Sequence, residues 1–285
     1  MYFCSVVMIV LLLYLIRGDD SPHNAFSKED CKQNWAICLI YNGSYVKNTN
    51  RPNVKIAVLD SGINSQLDIL KGKVTKSYNA IDDAIFTKDE FGHGTMIASI
   101  IASNPNPHTI IGVNPNVELY DVQVLNNKGT GKIEHIVKGI NWSIEKNVDI
   151  INLSFGFSKD DPRLKKVINL ALSKNIIIVA SAGNTLGLST DFPAKYEGVY
   201  SISAIDKDFN KYKLAAKGKI DYVTPGVNVP VINHMGERSI ESGTSFATAY
   251  ATGIMSLGLA EPNIEITTKD LHNKDIFGEG LLQIQ

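Results

Sequence analysis

The sequence is short of cysteine, of net charge and of phosphate-binding glycine motifs, and each shortage excludes a class of protein. Cys4, Cys31 and Cys38 are the only cysteines in 285 residues, and all precede residue 39. A chain with nothing to cross-link in its larger part is neither a disulfide scaffold nor a zinc framework. Lys and Arg number 28 against 29 Asp and Glu, for a net charge of −1 at pH 7. Without a basic stripe, the counterion release that drives nucleic-acid binding has no source, so no nucleic-acid partner is expected. No G-x-G-x-x-G follows the first apolar run, and Gly129-Thr130-Gly131-Lys132 lacks the upstream glycine of a P-loop. That removes a nucleotide-dependent enzyme. No internal repeat, low-complexity tract or linker interrupts residues 53–285.

What is present is apolar and patterned. Hydrophobic residues make up 44% and charged residues 20%, the balance of a globular chain with a large core. Residues 2–16 (YFCSVVMIVLLLYLI) are nearly all apolar. Fifteen residues fall short of the roughly 20 that span a bilayer. A secretory signal would carry a basic stretch before the run and a small-x-small site after it; Arg17-Gly18-Asp19-Asp20 follows instead. A membrane tether, an atypical signal and a hydrophobic leader outside the fold all stay open, and residues 1–17 are set apart from the fold.

From residue 53, short β-branched runs alternate with longer helical patterns. Residues 54–59 (VKIAVL), 118–125 (ELYDVQVL), 148–153 (VDIINL), 175–180 (NIIIVA) and 199–204 (VYSISA) read as strands buried on both faces. Residues 96–102, 133–146, 163–174 and 246–259 read as helices. The expected fold is one α/β domain over residues 28–285, with a mainly parallel central sheet covered by helices on both faces. Residues 261–285 are too few for a second domain.

Such sheets carry their sites at the C-terminal strand ends, and four signals fall there. Asp60-Ser61-Gly62 ends the first strand, placing a carboxylate at the rim; alone it reads equally as an Asx turn. Gly92-His93-Gly94-Thr95 opens a helical run, with glycines leaving the imidazole uncrowded. Ile97 at the fourth position after His93 excludes a zincin helix. Ser242-Gly243-Thr244-Ser245-Phe246-Ala247 puts a hydroxyl in the first turn of an Ala-rich helix, where free N–H groups favour a developing oxyanion, although a plain N-cap fits the same letters. Ser181-Ala182-Gly183-Asn184 leaves an amide at another strand end. The other histidines (residues 23, 108, 135, 234 and 272) are scattered and read as solvated.

Together these words, in the order Asp, His, Asn, Ser, resemble the three signatures of the subtilisin-like serine proteases, the subtilases of peptidase family S8. Gly112-Val113-Asn114-Pro115-Asn116, Ile151-Asn152-Leu153-Ser154-Phe155-Gly156 and Phe277-Gly278-Glu279-Gly280-Leu281 are similar to further family segments, so the likeness runs from about Trp35 to the end. It implies the subtilisin-like three-layer fold and an acyl-enzyme mechanism. Ser245 would be the nucleophile, His93 the general base, Asp60 the group orienting it, and Asn184 part of the oxyanion hole. Leu125 with Gly129, Thr130 and Gly131 would form one substrate wall, and Ser154, Phe155 and Gly156 the other, with an extended peptide between them.

In the family the stretch before an aromatic-Pro pair lies at the base of the S1 pocket. Thr190-Asp191-Phe192-Pro193 puts Asp191 there, which implies Arg or Lys at P1; a solvated loop carboxylate is the alternative. The 36 residues from 18 to 53 leave no room for a separate folding pro-domain. On that ground the chain most resembles the lantibiotic leader peptidases. A monomer acting on a precursor peptide in the cytoplasm is expected, membrane-associated if residues 2–16 tether it, with a secreted form disfavoured. A broad-specificity intracellular subtilase for protein turnover is the rival reading. Intact Asp60, His93, Asn184 and Ser245 argue against a non-catalytic binding module. Residues 104–108 (NPNPH) hold no carboxylate for the family's calcium site, so no metal or cofactor is expected. Ala249 stands where the family usually has Pro.

Overall fold

Apolar runs with alternating faces build the central layer of the computed structural model, which describes residues 23–42, 44–46, 54–104, 112–260 and 263–285. Chain order gives β1 (His23–Ala25), α1 (Lys28–Gln33), α2 (Trp35–Ile40), β2 (Ser44–Val46), β3 (Val54–Asp60), β4 (Val74–Asn79), α3 (His93–Ala102) and β5 (Val117–Gln123). There follow α4 (Ile133–Glu145), β6 (Ile150–Leu153), α5 (Pro162–Ser173), β7 (Ile177–Ser181), β8 (Tyr200–Ile205), β9 (Tyr222–Pro225), β10 (Val229–Ile232) and β11 (Arg238–Glu241). The chain closes with α6 (Thr244–Ala260), β12 (Ile266–Lys269), α7 (Lys274–Phe277) and β13 (Leu281–Ile284).

The large sheet runs β12-β13-β9-β8-β7-β6-β3-β5-β4, and only the β12–β13 pair in it is antiparallel. β3 lies between β5 and β6, with Asp60 opposite Gln123 and Leu59 opposite Leu153. Its alternation splits two cores. Ile56 and Val58 pack with Ile97, Ile100, Leu119, Tyr250 and Ile254 of the α3 and α6 side. Ala57 and Leu59 pack with Ile136, Ile140, Leu164 and Ile168 of the α4 and α5 side. Each such apolar side chain contributes about 1.5–3 kcal/mol when fully buried. This is the expected mainly parallel sheet with helices on both faces.

α6 is buried almost all round, which explains its Ala, Gly, Ser and Thr content. A Cβ on Gly253 would lie 2.5 Å from that of Val113. Ala249, where the family carries Pro, is fully buried and helical. Cys31 and Cys38 form a disulfide linking α1 to α2, because the break at Asn34 folds the two short helices against one another. Asn34 Oδ1 accepts the N–H groups of Ala36 and Ile37, which starts α2. Trp35 Nε1 then donates to the Asn228 carbonyl at 3.2 Å, tying this pair to the segment before β10. Among the described residues no helix is long and apolar enough to cross a membrane; residues 1–17 lie outside them.

Candidate active site

β3 delivers Asp60 to the rim of the sheet, where its side chain is fully buried. The Ser61 N–H donates to Asp60 Oδ1 at 2.8 Å. His93 is the first residue of α3, and its Nδ1 lies 2.8 Å from Asp60 Oδ1 and 2.9 Å from Oδ2. A carboxylate accepts, so Nδ1 carries the proton and Nε2 keeps its lone pair for another partner. Burial lowers the proton affinity of His93, but Asp60's charge and hydrogen bond, with the charges of Asp89 and Glu241, outweigh it and leave the pKa raised.

The glycines around His93 have a different reason from the one expected. The ring is not uncrowded: the Phe91 and Phe246 rings lie 6.3 and 5.8 Å from it, centroid to centroid. A Cβ on Gly94 would sit 2.2 Å from the Gly62 carbonyl oxygen and 3.1 Å from Asp60 Cβ, so glycine lets α3 start against the Asp60 turn. Gly92 has φ 92° and faces the His234 imidazole. His234 is therefore packed rather than solvated, with Nδ1 buried and unpartnered among the described residues.

α6 supplies the third side chain. The Thr244 N–H and hydroxyl donate to Asn184 Oδ1 at 3.2 and 3.1 Å. An N–H donor needs an oxygen acceptor, which fixes the amide orientation and leaves Asn184 Nδ2 to donate elsewhere. A Cβ on Gly243 would be 3.4 Å from that nitrogen. Ser245, the second residue of α6, has its own N–H in the unsatisfied first turn. Its Oγ donates to the Ser154 carbonyl at 2.6 Å, while Ser154 Oγ reaches Asn152 Oδ1 at 2.9 Å and the Ser245 carbonyl at 3.2 Å. Ser154 thus braces the first turn of α6. Among the described residues no hydrogen bond joins Ser245 Oγ to His93, so reaching Nε2 requires Oγ to leave Ser154. Loose hydrogen bonds of this kind are common in unliganded sites.

A family model described as the subtilase family matches residues 51–272. The chain belongs to the subtilase family. It is 32% identical to subtilisin E of Bacillus subtilis (strain 168) over 82% of this chain and 65% of that protein. Subtilisin DY of Bacillus licheniformis is 29% identical over 82% of this chain and 90% of its own length. The thermostable alkaline protease of Halalkalibacterium halodurans is 32% identical over 80% of this chain and 65% of that protein. The chain thus spans about 65% of the length of two of these three relatives.

The remaining expected subtilase site residues fall around the same rim. Leu125 pairs with Gly131 in an antiparallel bridge, and the turn between them closes through the Asn126 N–H on the Thr130 carbonyl at 3.0 Å. Gly129 has φ 69° and a Cβ there would meet the Phe91 ring at 2.6 Å, so Phe91 covers this wall. Phe155 is half-buried and Gly156 exposed. Asp191 stands between two glycines: a Cβ on Gly156 would lie 2.5 Å from Asp191 Cβ, and one on Gly183 2.4 Å from Asp191 Oδ2. No hydrogen bond or cation reaches its carboxylate among the described residues, and burial raises its pKa.

Asp89 escaped the sequence reading. It accepts from the Ser61 hydroxyl at 2.8 Å, the Gly92 N–H at 2.7 Å and the Thr95 N–H at 2.9 Å, binding the Asp60 turn to the start of α3. Its only signal was an acid four residues before His93. Among the described residues no group of three or more His, Cys, Asp or Glu is placed to hold a metal ion. Residues 105–108 of the expected calcium-loop replacement lie outside them.

Proposed function

We propose that this subtilase is a serine endopeptidase that cleaves an extended peptide after Arg or Lys. The observation that carries the reading is the buried Asp60–His93 pair facing the first turn of α6, where Ser245 and the oriented Asn184 amide stand together. Ser245 Oγ turns from Ser154 to His93 Nε2, gives up its proton there and attacks the scissile carbonyl. Asn184 Nδ2 and the Ser245 N–H stabilise the oxyanion. Asp60 holds the tautomer and stabilises the imidazolium, which then protonates the leaving amine. Water, deprotonated by His93, hydrolyses the acyl-enzyme and restores Ser245.

Asp191 gives the P1 preference: an unpaired, half-buried carboxylate between Gly156 and Gly183 gains from the fork of an arginine and costs affinity for Phe or Leu. Removal of a leader peptide from a lantibiotic precursor by a monomeric enzyme is the specific role we propose, on the sequence likeness to leader peptidases and on this basic P1 preference. A membrane association through residues 2–16 is compatible with it. The cytoplasmic setting expected from the sequence sits badly with the Cys31–Cys38 bond, which fits an oxidising compartment instead.

Incubating the protein with Arg-containing precursor peptides tests the role. Cleavage at one site after Arg, absent in Ser245→Ala, supports it. Many cuts without a P1 preference would return the broad-specificity turnover protease, and cleavage surviving in Ser245→Ala would refute the endopeptidase itself.

A further inference from the structure

Three carboxylates on the α3 side of the sheet, Asp60 of the His93 pair, Asp89 and Asp121, are buried, with 0%, 6% and 1% of their surface exposed. Asp121 is opposite Val58 in the β3–β5 pairing. Val58 and Leu119 belong to the core on the α3 side, whereas Tyr120 and Val122 belong to the other. Strand alternation therefore puts Asp121 and Asp60 on one face, under α3. Two of the three acids are compensated. Asp60 accepts from Ser61 and His93, and Asp89 from Ser61, Gly92 and Thr95.

Asp121 is different. The Thr87 hydroxyl and the Ile63 amide approach its carboxyl, yet Oδ1 is buried with no hydrogen-bond partner among the described residues. Apart from those two donors, no cation among the described residues faces it to offset a negative charge. β3 offers Asp60, the segment before α3 offers Asp89, and β4 places the uncharged Ser77 opposite. α3 offers His93, already bonded to Asp60, and the nearby Lys88 ammonium is exposed on Glu90. An ionised carboxylate with an orphaned oxygen costs more in such a place than the neutral acid does. Burial, reinforced by Asp89 and Asp60, accordingly pushes its pKa up to about 7.

We propose that Asp121 is a positioning residue for the general base. Held as the neutral acid of the buried trio, it limits the negative charge presented to His93, and once ionised it tightens His93's hold on its proton. The inference rests on the reading of His93 as the base. Only a proton moves: Asp121 Oδ1 releases it to solvent as the medium turns alkaline, and no bond to substrate is involved.

The test follows the His93 imidazole by NMR across pH in Ser245→Ala, with and without Asp121→Asn, beside the pH profile of kcat/KM in the active chain. The expected wild-type titration is broader than one ionisation, and Asp121→Asn narrows it and moves its midpoint down by about one pH unit. The acid limb of kcat/KM should move with it. Superimposable His93 curves would overturn the proposal. In case Asp121→Asn does not fold, the carboxyl carbon of Asp121 is followed in the unaltered chain: a change centred near neutrality supports the inference, and ionisation complete in the acid range overturns it. Both NMR readouts are independent of turnover, so an inactive protein would sink the peptidase reading without deciding this one.

Discussion

Replacing Asp191 by Asn keeps the size of the side chain and removes its charge, which isolates the contribution to P1 choice proposed for that carboxylate. In the structure it has no cation or donor of its own among the described residues and stands between Gly156 and Gly183, on the Asn184 side of Ser245. A hydrogen bond to a charged group is worth about 1.5–3 kcal/mol. Because Asp191 is only half-buried, solvent screening favours the low end of that range. About 1.4 kcal/mol is a factor of ten, so kcat/KM for an Arg peptide should fall about tenfold in Asp191→Asn. For a matched Phe peptide it should hold or rise, because no carboxylate then has to be desolvated by an apolar side chain. The assay is the ratio of kcat/KM on two peptides differing only at P1, followed across pH. Burial raises the Asp191 pKa, so the wild-type preference for Arg should fade as pH falls through a value above the ordinary carboxylate range, and the variant should show no such fade. An Arg-to-Phe ratio that is the same in both proteins would refute the placement of Asp191 at the base of the P1 pocket.

Other substitutions read other parts of the site. Asn184→Ala should lower kcat about 10²–10³-fold with little change in KM, a magnitude carried over from subtilisin itself, and stopped-flow turnover reads it. Gly94→Ala forces a Cβ against the Gly62 carbonyl, so activity should drop with a stability loss of about 1–3 kcal/mol in urea titration. Asn152→Ala removes the buried amide that donates to Thr252 Oγ1 at 2.8 Å and accepts from Ser154, for a loss of about 1–3 kcal/mol and a loosened first turn of α6. The folded chain binds more protons at Asp121 than the unfolded chain between the ordinary carboxylate range and about pH 7, so this residue's contribution to stability falls as pH rises through that window. Asp121→Asn should flatten that slope in denaturation midpoints taken at successive pH values.

The parts of the fold legible in the sequence were those where burial on both faces leaves an unbroken apolar run. β3, β5, β6, β7 and β8 announced themselves in this way, and α4 and α5 by their one-sided periodicity. β4 did not, because an edge strand exposed along Thr75, Lys76 and Ser77 carries no alternation to read. β9 to β13 are four residues each, too short to form a pattern. The glycine words marked the rim but not their reasons. Gly94 is set by the approach of Gly62 and Gly92 by His234, contacts made by segments distant in sequence. Asp89 and Asp121 were invisible for the same cause: a carboxylate becomes informative only when its burial and its donors are known.

The most direct test of the central claim is where a serine-directed phosphonylating reagent attaches. On the proposed mechanism, Asp60 and His93 make the Ser245 hydroxyl the nucleophile. Mass spectrometry should therefore find a single adduct on Ser245, slowed by orders of magnitude in His93→Ala. An adduct on another residue, or an equal rate without His93, would contradict it.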